Sequence, residues 1–243
     1  MNFSANYKLR TKFYYTWGRL VFSTVQIDYF EDYMAVFDEA FQKLSLMIQQ
    51  FNATPDFRSS PGYGQLRSCI IGIARDMRGI CSASHSKSSY QVFFDWIIVD
   101  RLAIILSAFK LAAEDPDVSI PVLRFFCELT HNRSQRIEFP PSSPNGIILF
   151  KELSQALQIY CESSIRKLSS GLVQDPYQHH LKPLGIALEM LVNGLSGNYV
   201  NFGVFVLYKD DTLNIAFESI LRLVLGITFV EIRVCFILFE ILL

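Results

Sequence analysis

An all-α fold, a solenoid of HEAT- or armadillo-like helix pairs, is predicted by three observations. Apolar residues recur at helical spacing along most of the chain, no comparable alternating strand series appears, and proline-led helix starts recur at long intervals. The 243 residues are 51% hydrophobic and 19% charged, more apolar and poorer in charge than an average globular domain, so material for a continuous core is ample. A helix pair cannot bury its apolar face alone, and stacking of neighbours supplies that burial.

The elements follow in order. Tyr33, Phe37, Phe41, Leu44 and Ile48 form one stripe on a helix expected from about Asp28 to Phe51. Leu66, Ile70, Ile73, Met77 and Ile80 mark the second, Leu102, Leu106, Phe109 and Ala113 the third, and Val118, Val122, Phe125 and Leu129 the fourth. The polar run His131 to Arg136 then interrupts, and is expected to be a loop. Leu149, Leu153, Leu157, Tyr160, Ser164 and Leu168 mark a fifth helix, Leu184, Leu188, Leu191 and Leu195 a sixth, and Leu213, Phe217, Ile220 and Val224 a seventh. "EDPDVSIP" and "QDPYQHHLKP" both set Asp-Pro before a helix with a second Pro in its opening, where a missing N–H is best tolerated. "NYVNFGVFVLY", Asn198 to Tyr208, has strand-like propensity but no strand to pair with. It is expected to be a short buried helix or extended linker, followed by an N-cap from Asp210, Asp211 or Thr212. In "SSPNGIILF", Ser142 or Ser143 can cap a helix led by Pro144, with Asn145 and Gly146 completing a tight turn.

Several function classes are disfavoured. The net charge is -1 and Lys and Arg are scattered, which gives no footprint for nucleic acid. Five cysteines, Cys69, Cys81, Cys127, Cys161 and Cys235, are widely spaced, and "MNFSANYKLR" is polar and basic, so a cytosolic or nuclear chain with reduced thiols is expected. The sequons at Asn2, Asn52 and Asn132 would matter only in a secreted chain. Leu221 to Leu243 is long enough to span a membrane but carries Arg222, Glu231, Arg233 and Glu240, each costing up to about 3 kcal/mol near a bilayer centre, so no membrane insertion is expected. "GYGQLR" at Gly62 lacks the strand and third glycine of a dinucleotide site. His179 and His180 are adjacent and diverge, with no further ligand at metal spacing. No catalytic residue, metal or cofactor is expected.

"IARDMRGI", Ile73 to Ile80, places Arg75, Asp76 and Arg78 on an apolar helix, with Gly79 inside it despite a cost of about 1 kcal/mol relative to Ala. A glycine there suits close approach of a neighbouring helix. The charged residues read either as an Asp and Arg ladder between helices or, for Arg78, as a ligand for a partner's carboxylate. In the polar run, Arg133 and Arg136 can offer planar, bidentate recognition of carboxylates from a helix end beside Asn132. Either they lock neighbouring units or they face a partner.

"DMRGI", "ELTHNRSQRIEF", "SSPNGIILF" and "LSGNYVNFGVFVLYKDDTL" together resemble the middle of the Ran-binding importin-β-type karyopherins, from about "KLRTKFYYTWGRL" to Ile227. The resemblance implies that residues 1–227 are central HEAT-like repeats of an export receptor far longer than this chain. It also implies shuttling between nucleus and cytoplasm, with GTP-bound Ran, protein cargo and the phenylalanine-glycine nucleoporins as partners, and no catalysis. The alternative is a helical-repeat scaffold with no transport role. Residues 228–243, "TFVEIRVCFILFEILL", depart from that pattern, being apolar on all sides. They are expected to derive from a truncated or mispredicted reading frame.

Overall fold

A computed structural model of the chain describes residues 7–23, 29–53, 57–140, 142–169 and 177–227. Among them are helices α1 (Tyr7–Ser23), α2 (Phe30–Met34), α3 (Asp38–Asn52), α4 (Tyr63–Ala83), α5 (Lys87–Ile98) and α6 (Arg101–Ala112). They are followed by α7 (Pro116–Thr130), α8 (Asn145–Ser169), α9 (Lys182–Ser196), α10 (Gly203–Leu207) and α11 (Thr212–Gly226), and no strand occurs among the described residues. The helices stack in two layers. In one, α1 packs on α4, α4 on α7 and α7 on α9; in the other, α3 packs on α6, α6 on α8 and α8 on α11. Contacts of α3 with α4, α4 with α6 and α7 with α8 tie the layers together. This is the stacked helix-pair architecture, with first-layer helices starting at Tyr7, Tyr63, Pro116 and Lys182, a longer step than the roughly 40–47 residues of a HEAT unit. The extra helix α5 and the long connection after α7 account for the difference in two of the units.

A single apolar core runs the length of the stack, and the seven expected stripes all contribute to it. The helix expected over Asp28 to Phe51 is broken: a 3-10 turn, Ala35–Phe37, separates α2 from α3. Tightening to three residues per turn shifts the inward register, so Met34 is buried and Tyr33 is exposed. In α9 the inward face is Leu184, Ala187, Met190 and Leu191, while Leu188 is exposed.

Two of the longer helices lie outside the seven stripes. One is α5, which opens on a capping box, Ser86 Oγ accepting from the Ser89 N–H while the Ser89 side chain answers the Ser86 N–H. The other is α1, held to α4 by glycines: a Cβ on Gly79 would lie 2.7 Å from the Thr11 carbonyl oxygen, and one on Gly18 would lie 2.7 Å from Ala83 Cβ. The close approach expected at Gly79 is thus made by α1.

Polar groups fix the stacking. Arg10 of α1 holds both carboxylate oxygens of Asp76 in α4 at 2.6 Å. Arg67 of α4 holds Asp115 and, at 3.1 Å, Asp117 of α7. Asp115 also caps α7 by accepting from the Asp117 N–H at 2.9 Å, but it is Pro116 that opens the helix, and Pro121, expected in the opening, lies inside it; the matching Asp175 and Pro176 lie outside the described residues. Ser143 Oγ accepts from the Asn145 N–H at 3.2 Å, but Gly146 lies in the first turn of α8, pressed against the Tyr199 carbonyl, and not in a separate turn. Within Asn198 to Tyr208 only Gly203–Leu207 is helical, as α10; its Phe205 is buried against Phe150, whereas Val206, Leu207 and Tyr208 are exposed, so the buried helix or linker expected there is buried only in part. Asp210 accepts from the Thr212 N–H at 3.0 Å to begin α11.

The Arg10 and Asp76 pair has a pH signature. Burial drives the Asp76 carboxyl up to about 6, and the Arg10 hydrogen bonds only partly oppose it. Arg10, which is less buried, is raised by the same hydrogen bond. A carboxyl raised on folding binds its proton more tightly in the folded state, so its contribution is favourable below about pH 4 and is lost as pH rises through about 6. We therefore expect the native chain to gain stability relative to Asp76→Asn on going from pH 7 to pH 4, by on the order of 2 kcal/mol. Urea titrations of both proteins across that range check the sign.

Candidate functional site

The residues expected to recruit a partner separate into two groups. The first is internal. After α7 the chain turns through His131 to Arg136, with Ser134 and Gln135 in the left-handed region at φ 52° and 53°. Asn132 staples this turn from both ends of its amide: Oδ1 accepts from the Ile137 N–H at 2.7 Å, and Nδ2 donates to the Gly197 carbonyl at 2.6 Å. Arg136 is 1% exposed. Its Nη1 donates to the carbonyls of Cys81 and Ser84, both at 2.9 Å. Its Nη2 donates to the Glu128 carbonyl at 2.6 Å and the Glu128 carboxylate at 3.0 Å, and its Nε to the His131 carbonyl at 3.1 Å. The guanidinium also lies 5.3 Å from the centre of the Tyr90 ring.

These acceptors are the last carbonyls of α4 and α7, groups that a helix end leaves without intrahelical partners. Other long side chains complete the cap of α7: Tyr90 donates to the Leu129 carbonyl at 2.7 Å and Tyr199 to the Thr130 carbonyl at 3.0 Å. A cation here also faces the negative ends of two helix dipoles. The geometry makes Arg136 a lock between two stacked units, with its donors used inside the chain and not offered to a partner.

The second group faces solvent. A cleft of about 430 Å³ opens across α1, α4 and α7, and four cations line it: Lys12 from α1, Arg75 and Arg78 from α4, and Arg124 from α7. Tyr15 and Ser82 supply hydroxyls. No carboxylate lines it. Burial lowers the pKa of the Arg78 guanidinium, and the like charge of Arg124 adds to the shift. Arg133 pairs with Glu128 and is lowered by burial and by Arg136, with Arg78 contributing, which places it at the edge of the same positive field.

Arg78 thus lines a surface cleft and Arg133 lies within reach of its charge, whereas Asn132 and Arg136 hold the loop that carries Arg133. The sequence reading missed Lys12, on a helix it did not flag, and Arg124. Arg124 could have been found as the charge that interrupts "VLRFF" on an otherwise apolar face.

The cleft beside Arg58, Glu114, Arg166 and Lys167 mixes both signs, with Arg58 donating to Glu114 at 2.5 Å. Among the described residues, no group of three His, Cys, Asp or Glu side chains could hold a metal ion, and no helix is long and apolar enough to cross a membrane. The expectation about the apolar tail, residues 228–243, falls outside the described residues.

No protein-family model and no solved structure matches the chain. Curated proteins do. Exportin-7-B of Xenopus laevis is 37% identical over 222 residues, covering 90% of this chain and 20% of the relative. Exportin-7 of Dictyostelium discoideum is 31% identical over 230 residues, 94% and 22% of the two chains. Ran-binding protein 17 of Homo sapiens is 34% identical over 226 residues, 92% and 20%. With its two layers of stacked helices, the chain is a homologue of exportin-7 and the Ran-binding proteins over some nine-tenths of its own length, and it spans about one fifth of theirs.

Proposed function

We propose that this chain forms stacked helix pairs of a nuclear export receptor, contributing to a surface that takes up protein cargo together with GTP-bound Ran. The observation that carries the reading is the 37% identity to an exportin-7 across 90% of the chain, on a fold whose helices stack side by side in two layers. Such a stack has only nearest-neighbour contacts, so it presents a long surface and can flex along its axis. The function needs no chemical step. A receptor that binds the GTP form of Ran better than the GDP form is shifted between loaded and empty states by that difference in affinity alone. Passage between nucleus and cytoplasm would use apolar grooves between outward helices for the phenylalanine-glycine repeats of the pore.

The protein expressed at its natural length tests this. It is expected to retain Ran locked with a non-hydrolysable GTP analogue and to release Ran-GDP, and to redistribute within the cell when the Ran gradient is collapsed. Equal capture of both nucleotide forms, with an unchanged cytosolic distribution, would overturn the reading in favour of a scaffold without a transport role.

A further inference from the structure

We propose that the cleft across α1, α4 and α7 is a docking site for an extended acidic segment of a partner protein, its carboxylates seated on Lys12, Arg78 and Arg124.

The whole chain carries a net charge of -1, so a cluster of four cations in one cleft is a local feature and not the overflow of a basic protein. The ion pairs of the described residues leave Lys12, Arg78 and Arg124 out, whereas the neighbouring acids are committed elsewhere: Asp76 to Arg10, and Glu128 to Arg133 and Arg136. The field of Glu189, on α9, also reaches Arg78, but that side chain is exposed and outside the cleft lining. Two arginines held near one another without an intervening carboxylate repel, and the folded chain bears that cost until an anion arrives. Burial makes the cost larger for Arg78.

Spacing selects the kind of anion. The three cations come from three successive helices of one layer. Packed helix axes lie about 8–10 Å apart, so the three helices that carry the row are spread over about 16–20 Å. Three carboxylates on one chain can meet cations anchored on three helices, where a single phosphate offers one centre of charge. An extended peptide presents alternate side chains on one face about every 6.5–7 Å, so three to four acidic residues in alternation match the row. Arginine suits carboxylates through paired N–H donors, and Tyr15 and Ser82 add neutral donors at the rim. The site stands whether or not the chain serves export, since it depends only on these side chains.

The test uses the full chain and a fluorescein-labelled peptide of alternating glutamate and serine, about a dozen residues long, followed by anisotropy. Saturable binding that weakens with added salt is expected, with Arg78→Gln plus Arg124→Gln reducing affinity at least tenfold. Lys110→Gln plus Arg222→Gln, which removes equal charge elsewhere, should leave it unchanged. The Tm of the cleft variant should equal or exceed that of the native chain, because a repulsion has been removed. Equal losses from the two double variants would show binding to overall charge and overturn the site. A lower Tm for the cleft variant would make these arginines structural and would also overturn it. A single-stranded oligonucleotide that binds more tightly than the peptide and is displaced by the same cleft substitutions would reassign the cleft to nucleic acid.

Discussion

Arg136→Ala is expected to lower the unfolding free energy by about 3–5 kcal/mol, the range for breaking a buried charge network by removing one partner. The substitution does not merely delete a cation. It strips the guanidinium donors from the carbonyls of Ser84 and His131 and one of several donors from those of Cys81 and Glu128, which keep the Ser84 and His131 N–H groups; a buried acceptor left without a partner costs about 1–3 kcal/mol. It also opens a void against Tyr90, whose ring lies alongside the guanidinium. Arg136→Lys separates charge from geometry. Lysine keeps the cation at the two helix ends but has one nitrogen where arginine has three, so it cannot reach the α4 and α7 carbonyls together, and an intermediate loss is expected. Chemical denaturation of the native chain and both variants gives the comparison. A loss for Arg136→Ala no larger than that for the exposed Arg222→Ala would show that the network contributes little, and that this arginine is available to a partner after all.

The same residue shows where the sequence stops being informative. Helical spacing locates α3, α4, α6, α7, α8, α9 and α11 because each buries a stripe whose period is set by the chain itself. The polar run at His131 to Arg136 announces a loop for the same reason. What the run does with its side chains depends on groups 52 and 55 residues away in sequence, at Ser84 and Cys81, and no local pattern encodes that distance. Arg133 and Arg136 look alike on the page. One is half-buried beside Glu128, while the other closes the ends of two helices. Helix α1 is obscure in the sequence for a different reason. Its inward face is built from Trp17, Gly18 and Val21, while Leu9, Phe13 and Leu20 point to solvent, so its hydrophobicity is not confined to one stripe. The cationic cleft inherits that difficulty: two of its cations, Arg75 and Arg78, stand together in "IARDMRGI", but Lys12 and Arg124 join them only through the stacking of α1 and α7 on α4.

Gly79→Val is expected to prise α1 from α4 and lower stability by about 3 kcal/mol, at the upper end of the range for overpacking. The first atom added at position 79 would meet the Thr11 carbonyl oxygen at 2.7 Å, and Tyr14 Cβ and the Tyr15 nitrogen at 3.0 Å, all on α1. Two of these are backbone atoms, so no rotamer change clears the way and the helix must move. Displacement lengthens the Arg10 to Asp76 bonds, which leaves a carboxylate that is almost wholly buried without its cation, and pulls Tyr14 from its place 5.1 Å from the Phe37 ring. Gly64, in the same helix, is the control: nothing lies within 4 Å of a Cβ there, so Gly64→Ala should stabilise by up to about 1 kcal/mol through helix propensity. Amide exchange distinguishes a local from a global effect, because release of α1 accelerates exchange across Tyr7–Ser23 first. An unchanged exchange pattern with a stability within about 0.5 kcal/mol of native, the range of a neutral surface substitution, would show that close packing of α1 is not required. Since Lys12 and Tyr15 ride on α1, the same variant should also weaken binding of the glutamate and serine peptide, so the glycine contact that completes the stack is what brings the third wall of the basic cleft into place.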